Sequence, residues 1–294
     1  MNPSSVSSSP RALAREISML ARGEYAVRLG LRAARLEDGR FSVEMPFDGT
    51  IVNRGGKVHG GAIASVLMAA ARLGAAASER AESERRVRLL TANVGFLCAP
   101  QKGPLVATAE VVRRGREVAH MRVDAVDEDG ATIANAGILV GFVESDVQSG
   151  LATGHQRSRL DLDETQASPV PASPYLTAAG VSTLPPAGRS ARALLPKVRN
   201  RAENPVRVDE GAVAGLADSC AAYAAHLYEP QPGQAGGVTV SLALAFQAGR
   251  DEDLLGVGEV TGHVSGCYLT AVEVVGVESG IPVASGFAVY RLPA

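Results

Sequence analysis

Apolar residues in this chain fall into two kinds of run. Two long stretches, 60–78 and 211–228, are apolar on nearly every side and are interrupted only by isolated residues such as Arg72 and Asp218. A helix with no polar face has nothing to offer solvent, so both are expected to be helices buried all round. The second kind of run is shorter and rich in Val, Thr and Leu. It predicts strands over 89–97, 105–112, 119–126 and 132–142, and again over 238–246, 255–261, 269–275 and 283–291. Turn signals such as Gln101-Lys102-Gly103-Pro104, Arg114-Gly115-Arg116 and Glu128-Asp129-Gly130 separate them. A short strand, 41–46 or 192–196, precedes each long helix. One buried helix followed by an antiparallel meander is an α+β layout in which the sheet curls around the helix.

The two sets of elements repeat at one separation. Val58-His59-Gly60-Gly61-Ala62-Ile63-Ala64 lies over Val208-Asp209-Glu210-Gly211-Ala212-Val213-Ala214, 150 residues on. The same offset carries Tyr25 onto Tyr175, Gly30 onto Gly180, Pro46 onto Pro196, Phe96 onto Phe246 and Gly130 onto Gly280. A single offset sustained along the chain points to duplication of one unit. The expected organisation is a disordered N-terminus at 1–10, a first repeat at 11–145, a polar linker at 146–174 punctuated by Pro and Gly, and a second repeat at 175–294.

Composition narrows the picture. The 294 residues suffice for two ordinary domains, 46% are hydrophobic, 20% are charged and the formal net charge is −2. That balance gives no electrostatic footprint for nucleic acid or a membrane surface. Residues 1–10 are Ser/Pro-rich without the apolar core of a signal peptide, and Arg72 interrupts the longest apolar run, so a cytoplasmic location is expected. Cys98, Cys220 and Cys267 are far apart and without metal-ligand spacing, and read as buried thiols. Aromatics are only 4% of the chain, with no Trp, so Ala, Val, Leu and Gly must fill the core and allow close approach of helix and sheet.

Asn53 followed by His59-Gly60-Gly61 at the head of a long apolar helix resembles the hotdog-fold thioesterases of the phenylacetate-pathway and 4-hydroxybenzoyl-CoA type. The resemblance extends over nearly the whole chain, twice, and implies two fused hotdog repeats, each an antiparallel sheet wrapped around a long buried helix. The helix start also has a physical meaning of its own. Its unpaired N–H groups and dipole favour negative charge, and glycine lets a carbonyl approach the backbone. Gly60 N–H is the candidate oxyanion donor, the Asn53 amide a second donor, and His59 and Gly61 complete the local set.

In the resembling enzymes a carboxylate nine residues after the motif His, on the helix of the other subunit, acts on the thioester. The first repeat has Met68 there, which cannot take a proton at neutral pH. The second repeat has lost His-Gly to Asp209-Glu210 but carries Asp218 at the equivalent place. The two losses complement each other. If the repeats pair as subunits of a hotdog dimer do, Asn53 and Gly60 meet Asp218 in one working composite site, while Met68 and Asp209-Glu210 form a dead one. The resemblance also implies a strand hydroxyl at Thr239, with Ser241 as its rival.

The expected function is therefore hydrolysis of an acyl-CoA thioester, with Asp218 as base or nucleophile, Met68 and Gly61 in contact with substrate, and CoA present only as part of the substrate. No metal or organic cofactor is expected, no nucleic acid and no membrane partner, and further association into homo-oligomers is anticipated. The alternatives are a hotdog dehydratase or hydratase and a non-catalytic acyl-CoA sensor. Acyl chain identity is not readable.

Overall fold

The computed structural model describes residues 11–80, 83–144, 172–197, 208–229, 236–247 and 251–293. The expected disordered segment 1–10 and most of the expected linker lie outside these. Helices α1 (Arg11–Arg22) and α2 (Glu24–Arg28) lead into strands β1 (Arg32–Arg35) and β2 (Phe41–Met45), the long helix α3 (Gly60–Ala77), and strands β3 (Arg86–Phe96), β4 (Leu105–Arg114), β5 (Val118–Val126) and β6 (Thr132–Val143). The second half repeats the order from α2 onward. Helix α4 (Pro174–Ala179) precedes β7 (Ser182–Ala187), β8 (Ser190–Leu195), helix α5 (Glu210–Tyr228), β9 (Val238–Phe246), β10 (Leu254–Val264), β11 (Cys267–Gly276) and β12 (Pro282–Arg291).

All twelve strands form one antiparallel sheet in the order β1-β2-β4-β5-β6-β3-β9-β12-β11-β10-β8-β7. Read from its middle outward, that order is the same in both halves. The seam is the β3–β9 pair, where Asn93 faces Ala243, so equivalent residues of the two repeats lie opposite each other on a local twofold. The expected α+β layout, a sheet wrapping long buried helices, is the one observed. Left-handed glycines recur as well: Gly30 and Gly180 end α2 and α4 with φ 65° and 76°, a conformation that costs other residues more.

Helices α3 and α5 cross inside the sheet. Their Ala- and Leu-rich sequences favour helix, and no Pro interrupts them. By length and composition α3 is apolar enough to cross a membrane, but 78% of it is buried within this protein, as a core helix is. Small residues set the crossing. A Cβ on Gly61 would lie 2.7 Å from Gly215 Cα, and one on Gly211 would lie 3.2 Å from Ser65 Cα. These paired contacts run in opposite directions along the two helices, so the packing is antiparallel and each helix start lies beside the third turn of the other.

Two expectations need correction. Only Cys220 is buried; Cys98 is exposed in the turn after β3, and Cys267 is half-buried at the start of β11, on the face that strand alternation turns outward. Helix α4 begins at Pro174, capped by Ser173, within the expected linker.

Candidate active site

The segment ahead of α3 is folded by its own polar groups. A tight hairpin joins Val52 to Val58. Asn53 Oδ1 accepts the N–H groups of Gly55 at 2.9 Å and Lys57 at 3.2 Å, which leaves the amide NH2 pointing away from the turn. His59 caps α3 in an extended conformation, with its N–H donating to the Ile51 carbonyl and its Nδ1 facing the Gly61 N–H at 3.1 Å. Gly60 N–H has no hydrogen-bond partner among the described residues, as the first turn of a helix allows.

The antiparallel crossing brings the third turn of α5 to this helix start. Asp218, only 1% exposed, is held between two neighbours. Thr239 Oγ1 donates to Asp218 Oδ1 at 2.5 Å, and His59 Nδ1 is 3.1 Å from Asp218 Oδ2. The absence of a side chain at residue 60 is what makes room. A Cβ there would come within 2.9 and 3.0 Å of the two Asp218 oxygens and 3.0 Å of Thr239 Oγ1.

A cleft of about 390 Å³, counting its open mouth, connects these groups, with Asn53, His59, Gly60, Asp218, Thr239 and Tyr290 in its wall. Burial pushes the Tyr290 phenol up to about 12, so it stays neutral and accepts the Gly237 N–H at 2.9 Å. A second cleft, of about 450 Å³, continues from Asn53, His59, Ala222 and Tyr290 toward Arg54 and His226. Burial, with Arg54 close by, holds the His226 imidazole below its ordinary range.

Comparison with known proteins bears on the family and the fold. Residues 50–141 match the family described as "Acyl-CoA thioesterase N-terminal domain". A Saccharolobus solfataricus protein, provisionally named an esterase, is 32% identical over 108 residues, 37% of this chain and 75% of its own length. The chain belongs to the hotdog-fold thioesterases. Solved structures agree on the fold. The Mycobacterium avium subspecies paratuberculosis tesB protein covers 92% of this chain and 100% of its own, with TM-score 0.61 at 14% identity. Acyl-CoA thioesterase II TesB2 of Mycobacterium marinum covers 89% and 96%, with TM-score 0.59 at 17% identity. A hot dog fold protein of Alicyclobacillus acidocaldarius gives 0.61 at 21%, over 89% and 96%.

Within this hotdog framework the twofold generates a second cavity, of about 430 Å³, beside Glu16, Met19, Met68, Arg72 and Asp209. Met68 therefore lies away from the Asp218 cleft. Gly61 lies apart from it too, since it faces Gly215 and the Tyr175 ring in the helix crossing. An ion cluster lines the second cavity. Arg72, 6% exposed, pairs with Glu16 at 2.5 Å and with Glu210, and its guanidinium touches Met19 Sδ. Helix α1, which brings Glu16 and Met19, lies over this side.

Burial pushes Glu16 up, against the pull of Arg72. Burial also opposes the Arg72 charge, but Glu16, Glu210 and Asp209 outweigh it and hold the guanidinium protonated. Asp209 is pushed up to about 6 by burial while its Oδ1 caps α5 through the Gly211 and Ala212 N–H groups.

Sequence reasoning overlooked Tyr290, Ala222, His226 and Tyr175 as neighbours of the site. The face of α5 carried a readable signal, since Asp218, Ala222 and His226 are spaced by four and share one side of a helix. Tyr290 carried none, because it projects from the last strand.

Proposed function

We propose that the chain hydrolyses an acyl-CoA thioester at a single composite site between two fused hotdog repeats, in the tandem form of the phenylacetate-pathway and 4-hydroxybenzoyl-CoA type. The observation that carries the reading is the convergence of three features: a free helix-start N–H at Gly60, a buried carboxylate at Asp218 abutting Gly60, and the Thr239 hydroxyl on that carboxylate. The thioester carbonyl oxygen lies toward Gly60 N–H, with the Asn53 NH2 as second donor. Charge develops on that oxygen in the transition state, where fixed dipoles stabilise it most.

Asp218 takes a proton from water as the oxygen of that water adds to the carbonyl carbon. The tetrahedral intermediate then collapses, the C–S bond breaks, and Asp218 returns the proton to the departing thiolate, leaving a carboxylic acid and the CoA thiol. Thr239 fixes the carboxylate through Oδ1, and the exchange falls to Oδ2, which His59 Nδ1 faces at 3.1 Å. CoA enters only as substrate, and we assign the reaction to the cytoplasm.

One observation favours a second reading. His59 and Asp218 come from opposite repeats, as the acid and base of a hotdog hydratase or dehydratase would. Both readings are tested together by assaying thiol release from a panel of acyl-CoA esters, and hydration of an enoyl-CoA, with the wild type and Asp218→Asn. The hydrolase reading expects thiol release that falls by about 10²–10⁴-fold in Asp218→Asn. Undiminished release in that variant removes the assigned base. Hydration without thiol release selects the second reading, and binding without either selects a sensor.

A further inference from the structure

The His59 imidazole has more neighbours than one ring nitrogen can serve. Nδ1 lies 3.1 Å from Asp218 Oδ2 and 3.1 Å from the Gly61 nitrogen. It carries either a lone pair, which accepts from Gly61, or a proton, which it gives to Asp218. Both contacts depend on where the ring is held, and one of its faces is covered from the opposite repeat. The Tyr175 ring stacks on His59 with centroids 4.2 Å apart and planes within 23°.

Tyr175 is itself held at several points. It is fully buried, and its backbone N–H donates to the Val52 carbonyl at 3.1 Å, next to Asn53. Its hydroxyl shares a 2.6 Å hydrogen bond with Tyr25, its own equivalent 150 residues earlier. Tyr25 OH bonds Ser65 Oγ at 2.9 Å, and the Ser65 hydroxyl donates to the Gly61 carbonyl at 2.7 Å. Gly61 leads back to His59 through its N–H, so the chain of contacts closes on the residue from which it began. Burial raises both phenols well above their ordinary range, which keeps them neutral. In the other cavity Asp209 stands where His59 would, so Tyr25 has no imidazole to stack against. The paired hydroxyls thus lie on the twofold, whereas of the two tyrosines Tyr175 alone stacks on an imidazole, beside Asp218.

We propose that Tyr175 is a positioning residue, which fixes the plane of His59 and thereby which partner Nδ1 serves, keeping the Asp218 carboxylate available for reaction. The proposal rests on the hydrolase reading above. It is tested by measuring kcat and KM on a responsive ester for the wild type, Tyr175→Phe, Tyr175→Leu and Tyr25→Phe, and by repeating Tyr175→Leu in a His59→Ala background.

Tyr175→Leu is expected to lower kcat about tenfold with KM within about twofold, while Tyr175→Phe, which keeps the ring, stays within about twofold of the wild-type kcat. Tyr25→Phe is expected to lower Tm and spare kcat. In the His59→Ala background Tyr175→Leu should add no further loss. Equal loss in both backgrounds, or a Phe variant as impaired as the Leu variant, overturns the proposal.

A wild type that turns over no ester defeats the hydrolase reading and leaves this one to NMR. There the His59 ring 15N resonances should match the wild type in Tyr175→Phe and move in Tyr175→Leu. Unmoved resonances in Tyr175→Leu overturn the positioning role.

Discussion

The two cavities related by the local twofold began as equivalents and now differ at nearly every lining position. Beside α3's start stand His59, Gly60, Asp218, Thr239 and Ala222. The matching positions around α5's start are Asp209, Glu210, Met68, Leu89 and Arg72. One cavity sets a carboxylate against a free helix-start N–H, and the other has Met68 at the carboxylate's place and an ion cluster of Arg72, Glu16 and Glu210 beside it. In a homodimer the two sites share one sequence and cannot diverge, whereas covalent fusion frees each half to specialise. At the place matching Ala222, α3 carries Arg72, the cation of the ion cluster.

The comparison can be broken by copying one cavity onto the other. The largest effect is expected from Ala222→Arg, which introduces that side chain into the Asp218 cleft, and thiol release should fall by roughly 100-fold or more by loss of the productive geometry. Gly60→Ala comes next. Its methyl would press on the Asp218 carboxylate and Thr239, and kcat should drop by about 10–100-fold with the helix intact.

On the other side, Arg72→Ala removes the buried cation that bonds both Glu16 and Glu210, and should cost about 3–5 kcal/mol in chemical denaturation while kcat stays unchanged. The smallest effect is expected at Asp209. Its folded pKa of about 6 exceeds its ordinary value, so the stability it supplies is full below about pH 4 and is lost as pH rises through 6. Asp209→Asn keeps a helix cap, and should match the wild type at pH 4 yet be more stable at pH 8, by on the order of 2 kcal/mol in denaturant titrations.

Much of the architecture was legible because it rests on repetition and burial. The all-apolar helices could only be core, the Val- and Thr-rich runs could only be strands, and the 150-residue offset paired Gly60 with the carboxylate of the opposite helix. Edge strands β1 and β7 escaped notice, since Arg32-Ala33-Ala34-Arg35 and a run containing Pro185-Pro186 carry no strand alternation.

Helix α1 escaped for a more instructive reason. Its buried face includes Glu16, which hydropathy assigns to solvent and which is buried only because Arg72 meets it 56 residues later. Arg72 read as a mere interruption of an apolar run, and Asp209 with Glu210 read as a lost helix start. The ion cluster that joins them exists only in three dimensions. Tyr25 and Tyr175 were matched in sequence, but a twofold that stacks one of them on His59 leaves no periodic trace.

The central claim is that only one of the two equivalent cavities brings together the groups that bind and hydrolyse a thioester. Calorimetric titration of the chain with a non-hydrolysable thioether analogue of a turned-over acyl-CoA measures this directly. The account predicts one analogue bound per chain, and none in Ala222→Arg. Two bound per chain, or binding undiminished by Ala222→Arg, would contradict it.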